Sequence, residues 1–277
     1  MASTAPGPSG RPSEWLAYRT VLASRLRSQT TYRTSFALDV FGSLMVSLAD
    51  LTEVYVIFHN VHLLGGLDLP AAFLVFGLAN LGFQLADALF GRLDAVPELI
   101  RSGRLDAMML RPQPLLAQLL TNDVVLRRIG GALVGAAVLT AGLVLTPIHW
   151  TAPRLALLVI TPFSAAGVFS ALFLVAGAVQ FWLIDASEVT NAFTYASSYA
   201  AKYSAAVLPL PVRLLFAFVV PAAFTAYLPT LALLGRPGPA FLPAWLGWCG
   251  PLMAALAWTV ALAAWGRGIR HYSGAGG

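Results

Sequence analysis

Six runs of apolar residues, each close to the length needed to cross a lipid bilayer, dominate this 277-residue chain. A helix needs about 20 consecutive apolar residues to span the hydrocarbon core of a bilayer. Only 10% of the residues are charged, against about 25% in a soluble domain, so the chain cannot cover its surface for water. We therefore predict an all-α, polytopic membrane protein with about six transmembrane helices, at residues 34–58, 70–90, 129–148, 155–184, 214–234 and 244–265.

The basic residues predict how these helices are oriented. Fifteen of the 17 Lys and Arg residues fall in segments that would share one side of the membrane with the N-terminus, and only Arg154 and Arg236 fall on the other. Because Lys and Arg are enriched in cytoplasmic loops, both termini are predicted to be cytoplasmic. The net charge of +5 is explained by basic residues at the membrane boundary, which favour anionic lipid, and nucleic acid is not expected as a partner.

Three polar segments flank the apolar runs. Residues 1–12 have no apolar core and are predicted to be a disordered cytoplasmic tail rather than a cleavable signal peptide. Residues 13–33 are predicted to form an amphipathic helix in the membrane interface, before a single transmembrane domain over 34–277. The amphipathic pattern of residues 13–33 rests on Trp15, Tyr18, Leu22 and Leu26. Residues 185–211 are less apolar than their neighbours and are interpreted as a helical extension or interfacial helix before the fifth run.

Several kinds of chemistry are not expected of this chain. Lys202 is its one lysine and no glycine-rich turn precedes it, so the sequence has no phosphate-binding P-loop. His59 and His62 stand three residues apart without an accompanying carboxylate cluster, and we expect no metal site. Cys249 is the one cysteine and is interpreted as a packed thiol. We predict a protein that is not an enzyme.

Polar residues within the first two apolar runs form stripes at helical spacing. An ionisable group at membrane depth costs a few kcal/mol, so these side chains should face a bundle interior, a partner subunit or an aqueous path. Pairing between helices or subunits and a role in a substrate path both remain open. Small residues such as Gly130 and Gly131 in the third run permit close helix packing. The polar residues are Asp39, Ser43, Asp50 and Glu53 in the first run, and Asn80, Gln84 and Asp87 in the second.

The polar segment at residues 91–128, between the second and third runs, is more than a connection. Pro97 suits the first turn of a helix, Glu98 its positive end and Gly103 its termination, so PELIRSG is predicted to form a short helix below the bilayer. Apolar side chains rimmed by charge suit docking on another protein, and adhesion to anionic lipid is the alternative. The residues predicted to make this contact are Glu98, Arg101, Arg104, Leu105, Asp106, Met108 and Arg111. Met108 and its neighbour Met109 are both expected to be exposed.

Three stretches resemble the ABC-2 type permeases of ATP-driven transporters, closest to the short six-helix permeases of bacterial drug-resistance-like operons. The first, IRSGRLDAMMLRPQPLLAQLL, has the family's Gly-x-Leu-Asp and Leu-Arg-Pro pattern between spans two and three. The second, FVVPAAFTAYLPTLALLG, resembles the Pro-centred fifth span. The third, WGRGIRHYSGAGG, resembles the typical ending through Trp265, Gly268, Tyr272, Ser273 and Gly274.

This resemblance implies a half-transporter in a bacterial cytoplasmic membrane. It would pair with a second permease copy or a paralogous permease and with two separate ABC ATPase subunits, which would bind ATP and Mg²⁺, so the chain itself needs no cofactor. The loop from Pro97 to Arg111 would contain the helix that docks on the ATPase. The expected activity is export of a small hydrophobic, amphiphilic or lipid-like substrate.

Two other functions fit parts of the pattern. A non-transporting scaffold or sensor subunit would also dock a soluble partner through residues 91–128. A proton-coupled transporter could use Asp39, Asp50 and Glu53, but no matching polar set occurs in the second half of the chain, so an inverted repeat gains no support.

Overall fold

A computed structural model describes residues 33–122, 129–183, 187–203, 211, 215–216, 220–239 and 242–274.

Two of the long helices begin at capping residues that the sequence supplies. Asp68 accepts a hydrogen bond from the backbone N–H of Ala71 at the start of the second helix, and Thr151 caps another helix in the same way through Arg154. Each cap is followed by a proline in the first turn, where its missing N–H costs nothing.

The described residues form ten α-helices and short 3₁₀ segments, without a named β-strand. The 3₁₀ segments are Gly91–Ala95, Ala222–Phe224 and Ala244–Cys249. The α-helices are α1 Arg33–Asn60, α2 Leu69–Phe90, α3 Val96–Arg101, α4 Arg104–Met109, α5 Leu115–Asn122, α6 Ile129–Leu145, α7 Ala152–Val179, α8 Ser187–Ala201, α9 Tyr227–Leu234 and α10 Gly250–His271.

Four helical stretches are long and apolar enough to cross a membrane: Ala37–Asn60, Leu69–Arg101, Ala152–Val179 and Ala244–His271. They coincide with the predicted first, second, fourth and sixth runs, so the all-helical membrane fold is confirmed. The third run forms α6, and the fifth contributes the shorter apolar stretch Ala222–Leu234. The predicted tail at 1–12 and the interfacial helix at 13–33 lie outside the described residues, except for Arg33 at the start of α1.

Helix α2 is the central element of the bundle, packed between α6 and α7, and α7 in turn packs on α10. A Cβ at Gly77 would stand 2.7 Å from the Cα of Leu139 in α6, and one at Gly82 would stand 2.4 Å from the Cβ of Ala165 in α7. At Gly130, a Cβ would stand 2.2 Å from the carbonyl oxygen of Val40 in α1. Small residues therefore allow the backbones to approach closely, as expected for helices in a membrane.

Substituting Gly82→Ala should destabilise the bundle, because the added methyl group forces α2 and α7 apart. Overpacking of this kind costs about 1–3 kcal/mol, so we expect a lower midpoint of thermal unfolding for the purified protein in detergent. Gly42→Ala is the matched control, since a Cβ there meets nothing within 4 Å and alanine favours the helix. Equal midpoints for the two variants would contradict the close packing of α2 on α7.

Candidate functional site

The segment after α2 folds back on itself as two short helices, α3 and α4. Pro97 lies in the first turn of α3 together with Glu98, as predicted. Gly103 follows with φ of 67°, a left-handed conformation that glycine adopts at little cost. The predicted short helix PELIRSG is therefore confirmed, and Gly103 is the residue at which the chain turns into α4.

One face of these two helices belongs to the protein core. Leu93, Val96 and Ile100 are buried together with Leu105 and Met108. The amide nitrogen of Gln118 in α5 donates hydrogen bonds to the carbonyl oxygens of Met108 at 2.9 Å and Gln113 at 2.8 Å, which ties the end of α4 to α5. The segment is therefore a folded unit attached to the bundle.

The opposite face presents charge and two apolar side chains. The side chains of Glu98, Arg101, Arg104 and Arg111 are exposed. The expectation that both methionines of α4 are exposed is correct for Met109 and wrong for Met108, which is 6% exposed, and Leu105 is fully buried. The i, i+3 spacing of Leu105 and Met108 puts both side chains on the inner face of α4. Leu110, 89% exposed, joins Met109 as the apolar part of the outer face.

Asp106, the remaining predicted residue of this loop, is bound to the end of α10. The Tyr272 hydroxyl donates a hydrogen bond of 2.8 Å to Oδ1 of Asp106. Burial and this bond to a carboxylate raise the pKa of Tyr272 to about 12, so the phenol stays protonated as a donor at neutral pH. The Tyr272 ring also packs edge-on against Phe181, which contacts Trp265. The loop is thus held by both α2 and α10.

The predicted intramembrane polar residues divide into two groups. The first group joins helices: Asn80 donates to the carbonyl oxygen of Gly131 at 2.7 Å, and Ser43 accepts from the Gly131 N–H at 3.0 Å. Gln84 reaches Ser47 at 3.4 Å. These bonds connect α1, α2 and α6, and they match the interpretation of these side chains as helix-to-helix contacts.

The second group consists of the acids. Asp87 is fully buried at the end of α2, beside Gly91, where a Cβ would collide with its carboxylate. Asp39 and Glu53 are exposed on α1, and Asp50 is half-buried on the same stripe. Within the described ranges, no group of three or more His, Cys, Asp or Glu residues is placed to hold a metal ion.

Asp50 forms an ion pair with Lys202, a contact that the sequence did not reveal. The two charged groups lie 2.5 Å apart, with the Lys202 side chain 8% exposed and that of Asp50 22% exposed. The ammonium also lies 5.6 Å from the ring centroid of Phe76. Asp50 stands ten residues before the end of α1 at Asn60, about 15 Å along the helix axis. The assignment of Lys202 to the cytoplasmic side is therefore wrong: it lies beside the transmembrane stretch Ala37–Asn60.

A second ion pair lies at the opposite end of the helices from the charged loop. The guanidinium of Arg236 contacts both carboxylate oxygens of Asp68, at 3.0 and 3.2 Å, and donates to the carbonyl oxygen of Gly66 at 3.1 Å. The Tyr227 hydroxyl donates to the carbonyl oxygen of Gly65 at 3.2 Å. Burial raises the pKa of Asp68, but the bond and charge of Arg236 outweigh it and lower the pKa overall. The α1–α2 turn is thereby fastened to the end of α9.

The family model of the ABC-2 family transporter protein matches residues 44–276, which is most of the chain and includes the charged loop, Asp50 and Lys202. The chain belongs to the ABC-2 transporter family. No curated protein and no solved structure matches it significantly. Membership in the ABC-2 family identifies a multi-pass membrane protein that is the permease component of an ABC transporter and associates with an ABC ATPase.

The ABC-2 match includes nearly all the residues predicted from the sequence to be functional. Asp39 and Ser43 lie before its first residue. Lys202 is the functional candidate that sequence reasoning missed. The available signal was that Lys202 is the one lysine of an apolar chain. An ionisable residue near a membrane span needs a partner that offsets its charge.

Removing one member of the Asp50–Lys202 pair should cost more stability than removing both charges. An unpaired charge left in a buried site destabilises by about 3–5 kcal/mol. We therefore expect Lys202→Met and Asp50→Asn each to lower the midpoint of thermal unfolding, and the double variant to recover part of the loss. Lys202→Arg, which keeps the charge, is the control for side-chain size. Strictly additive losses in the double variant would show that the two residues do not interact.

Proposed function

We propose that this chain is the transmembrane permease subunit of an ATP-driven exporter in a bacterial cytoplasmic membrane. Separate ATPase subunits bind ATP and Mg²⁺ and drive efflux of a small hydrophobic, amphiphilic or lipid-like substrate. One observation carries the proposal: in this chain of the ABC-2 family, the α3–α4 segment has two faces of different character. Its inner face is packed into the bundle, and its outer face presents charged and apolar side chains.

The outer face of α3 and α4 has the composition of a protein-docking surface. Arg101, Arg104 and Arg111 supply positive charge beside Glu98, and Leu110 supplies a large apolar side chain for a pocket on the partner. A buried apolar anchor surrounded by charge is the common arrangement in protein interfaces. Lipid adhesion would use the arginines but gives no reason for the acidic Glu98. We therefore assign this face to the ATPase.

The core contacts of the segment provide the route from the ATPase to the bundle. The segment continues directly from α2 and is bonded to α10 through Asp106 and Tyr272. A displacement of the outer face would therefore reach two of the long helices. ATP binding by the partner would then favour one of two permease conformations, an instance of a ligand-driven shift in population.

The proposed assembly contains two permease chains and two ATPase subunits. The second permease is another copy or a paralogue. Helix α1 presents a large apolar surface that the described residues leave exposed, including Leu38, Phe41, Val46 and Val56. A partner permease and lipid would share that surface. In this assembly the chain has six spans and both termini in the cytoplasm. Asp39, Asp50 and Glu53 on α1 line the substrate path or the interface between the two permeases.

Reversing the charges at Arg101 and Arg104 should separate docking from folding. We expect the Arg101→Glu, Arg104→Glu variant to insert into the membrane normally and to lose co-purification of the ABC ATPase and its ATP hydrolysis by at least tenfold, because two attractive contacts become repulsive. Arg267→Glu, at an exposed position near the end of α10, is the matched control. Normal ATPase binding by the double variant would remove the docking role from this segment.

The apolar part of the interface can be tested separately with Leu110→Ser. Because this side chain is 89% exposed, its loss should leave thermal stability unchanged. If it fills a pocket on the ATPase, the affinity should fall by about tenfold, the usual cost of losing an interface anchor. Leu63→Ser, 65% exposed in the α1–α2 turn, is the control at the other end of the bundle. A chain that captures no ABC ATPase at all would favour the scaffold function.

A further inference from the structure

A row of tyrosines runs along helix α8 and its C-terminal end. Tyr195, Tyr199 and Tyr203 are four residues apart, which places them on one face of a helix. The row spans about 12 Å at 1.5 Å per residue. The rings of Tyr199 and Tyr203 lie 5.0 Å apart between centroids. The rings of Tyr195 and Phe83 are 5.6 Å apart, with an interplanar angle of 67°.

Carboxylates lie at both ends of this tyrosine row. At the end near the charged loop, the Tyr195 hydroxyl lies 3.3 Å from Oδ2 of Asp94, in the segment that follows α2. At the other end, the Asp50–Lys202 ion pair joins α1 to the C-terminal end of α8. Glu53 lies one helical turn after Asp50, and Tyr199 and Tyr203 flank Lys202, so the ion pair brings Glu53 to the side of α1 near these two tyrosines. The row therefore leads from the loop end of α2 to the acidic stripe of α1.

Near Tyr199 and Tyr203, the described residues place one cation, Lys202, and two carboxylates, Asp50 and Glu53, which lie one turn apart on α1. Lys202 is already paired with Asp50, so Glu53 supplies the excess negative charge. An ionised carboxylate at membrane depth is unfavourable unless something offsets its charge. A cation beside Glu53 would offset it.

Exposure separates the groups that can receive a ligand from those that cannot. Glu53 is exposed and the Tyr199 side chain is 43% exposed, whereas Lys202 is buried behind Asp50 and against Phe76. The Tyr203 hydroxyl is buried and has no partner at hydrogen-bonding geometry within the described part of the chain. The accessible part of the cluster thus consists of a carboxylate and aromatic rings.

We propose that Glu53 and the tyrosine row form a binding site for an organic cation with an aromatic or apolar body. The Glu53 carboxylate pairs with the positive charge, and the faces of Tyr199 and Tyr203 attract it through their ring quadrupoles. Lys202 holds Asp50 and so leaves Glu53 as the ligand's counter-ion. That this cation is the transported substrate rests on the proposed exporter function; the binding site itself does not.

Two ions of the same shape and opposite charge give the sharpest test. Tetraphenylphosphonium and tetraphenylborate are titrated by calorimetry into the purified full chain in detergent, without ATPase or ATP. We expect saturable binding of the cation, weakened at least tenfold in Glu53→Gln. We also expect weakening in Tyr199→Leu and retention in Tyr199→Phe, because the ring face rather than the hydroxyl holds the charge.

Glu188→Gln is the matched control, since Glu188 is an exposed acid in the first turn of the same helix α8 and its substitution should leave the affinity within twofold. Each variant is first checked for a single size-exclusion peak, and Tyr199→Leu tests the site independently if Glu53→Gln does not fold. Unchanged cation affinity in Glu53→Gln overturns the proposal. Tighter binding of the borate, lost in Lys202→Met, overturns it in favour of an anion site.

This test is separable from that of the exporter function. Cation binding that depends on Glu53, in a chain that captures no ABC ATPase, keeps the site and removes the exporter. An ATPase complex that forms normally around a chain without such binding keeps the exporter and removes the site.

Discussion

The close approach of α2 to α6 and α7 is the contact on which the other features depend. In a bilayer the lipid is as apolar as the helices, so packing relies on van der Waals contact and hydrogen bonds between helices. Gly77 and Gly82 bring the backbones together, and Asn80 adds a hydrogen bond to Gly131. Both candidate sites are attached to this helix: the charged loop continues from its end, and Phe76 supports Lys202 from its side.

Hydropathy and local turn chemistry predicted the parts of the fold that are local in sequence. The first, second, fourth and sixth runs became long helices that overlap their predicted bounds, because a continuous apolar stretch has few other stable states in lipid. Pro97 and Gly103 predicted the short helix because each residue determines the backbone conformation of its own turn. The burial of Leu105 and Met108 could have been read from their i, i+3 spacing on α4.

The features that could not be predicted join residues far apart in the chain. Lys202 was assigned to the cytoplasm because the orientation rule uses only the position of a basic residue relative to apolar runs. Its partner Asp50 is 152 residues away, and no local pattern connects them. The bond between Tyr272 and Asp106, 166 residues apart, is of the same kind. The sequence analysis did not single out the tyrosine row, whose significance depends on Glu53 from another helix.

The separation of Asp50 from Lys202 also has a consequence for how the protein is made. Chains are synthesised at roughly 5–20 residues per second, so a gap of 152 residues corresponds to roughly 8–30 s. During that interval α1 has emerged and its lysine partner does not yet exist. The ion pair that joins α1 to the end of α8 therefore forms only after α8 has been translated.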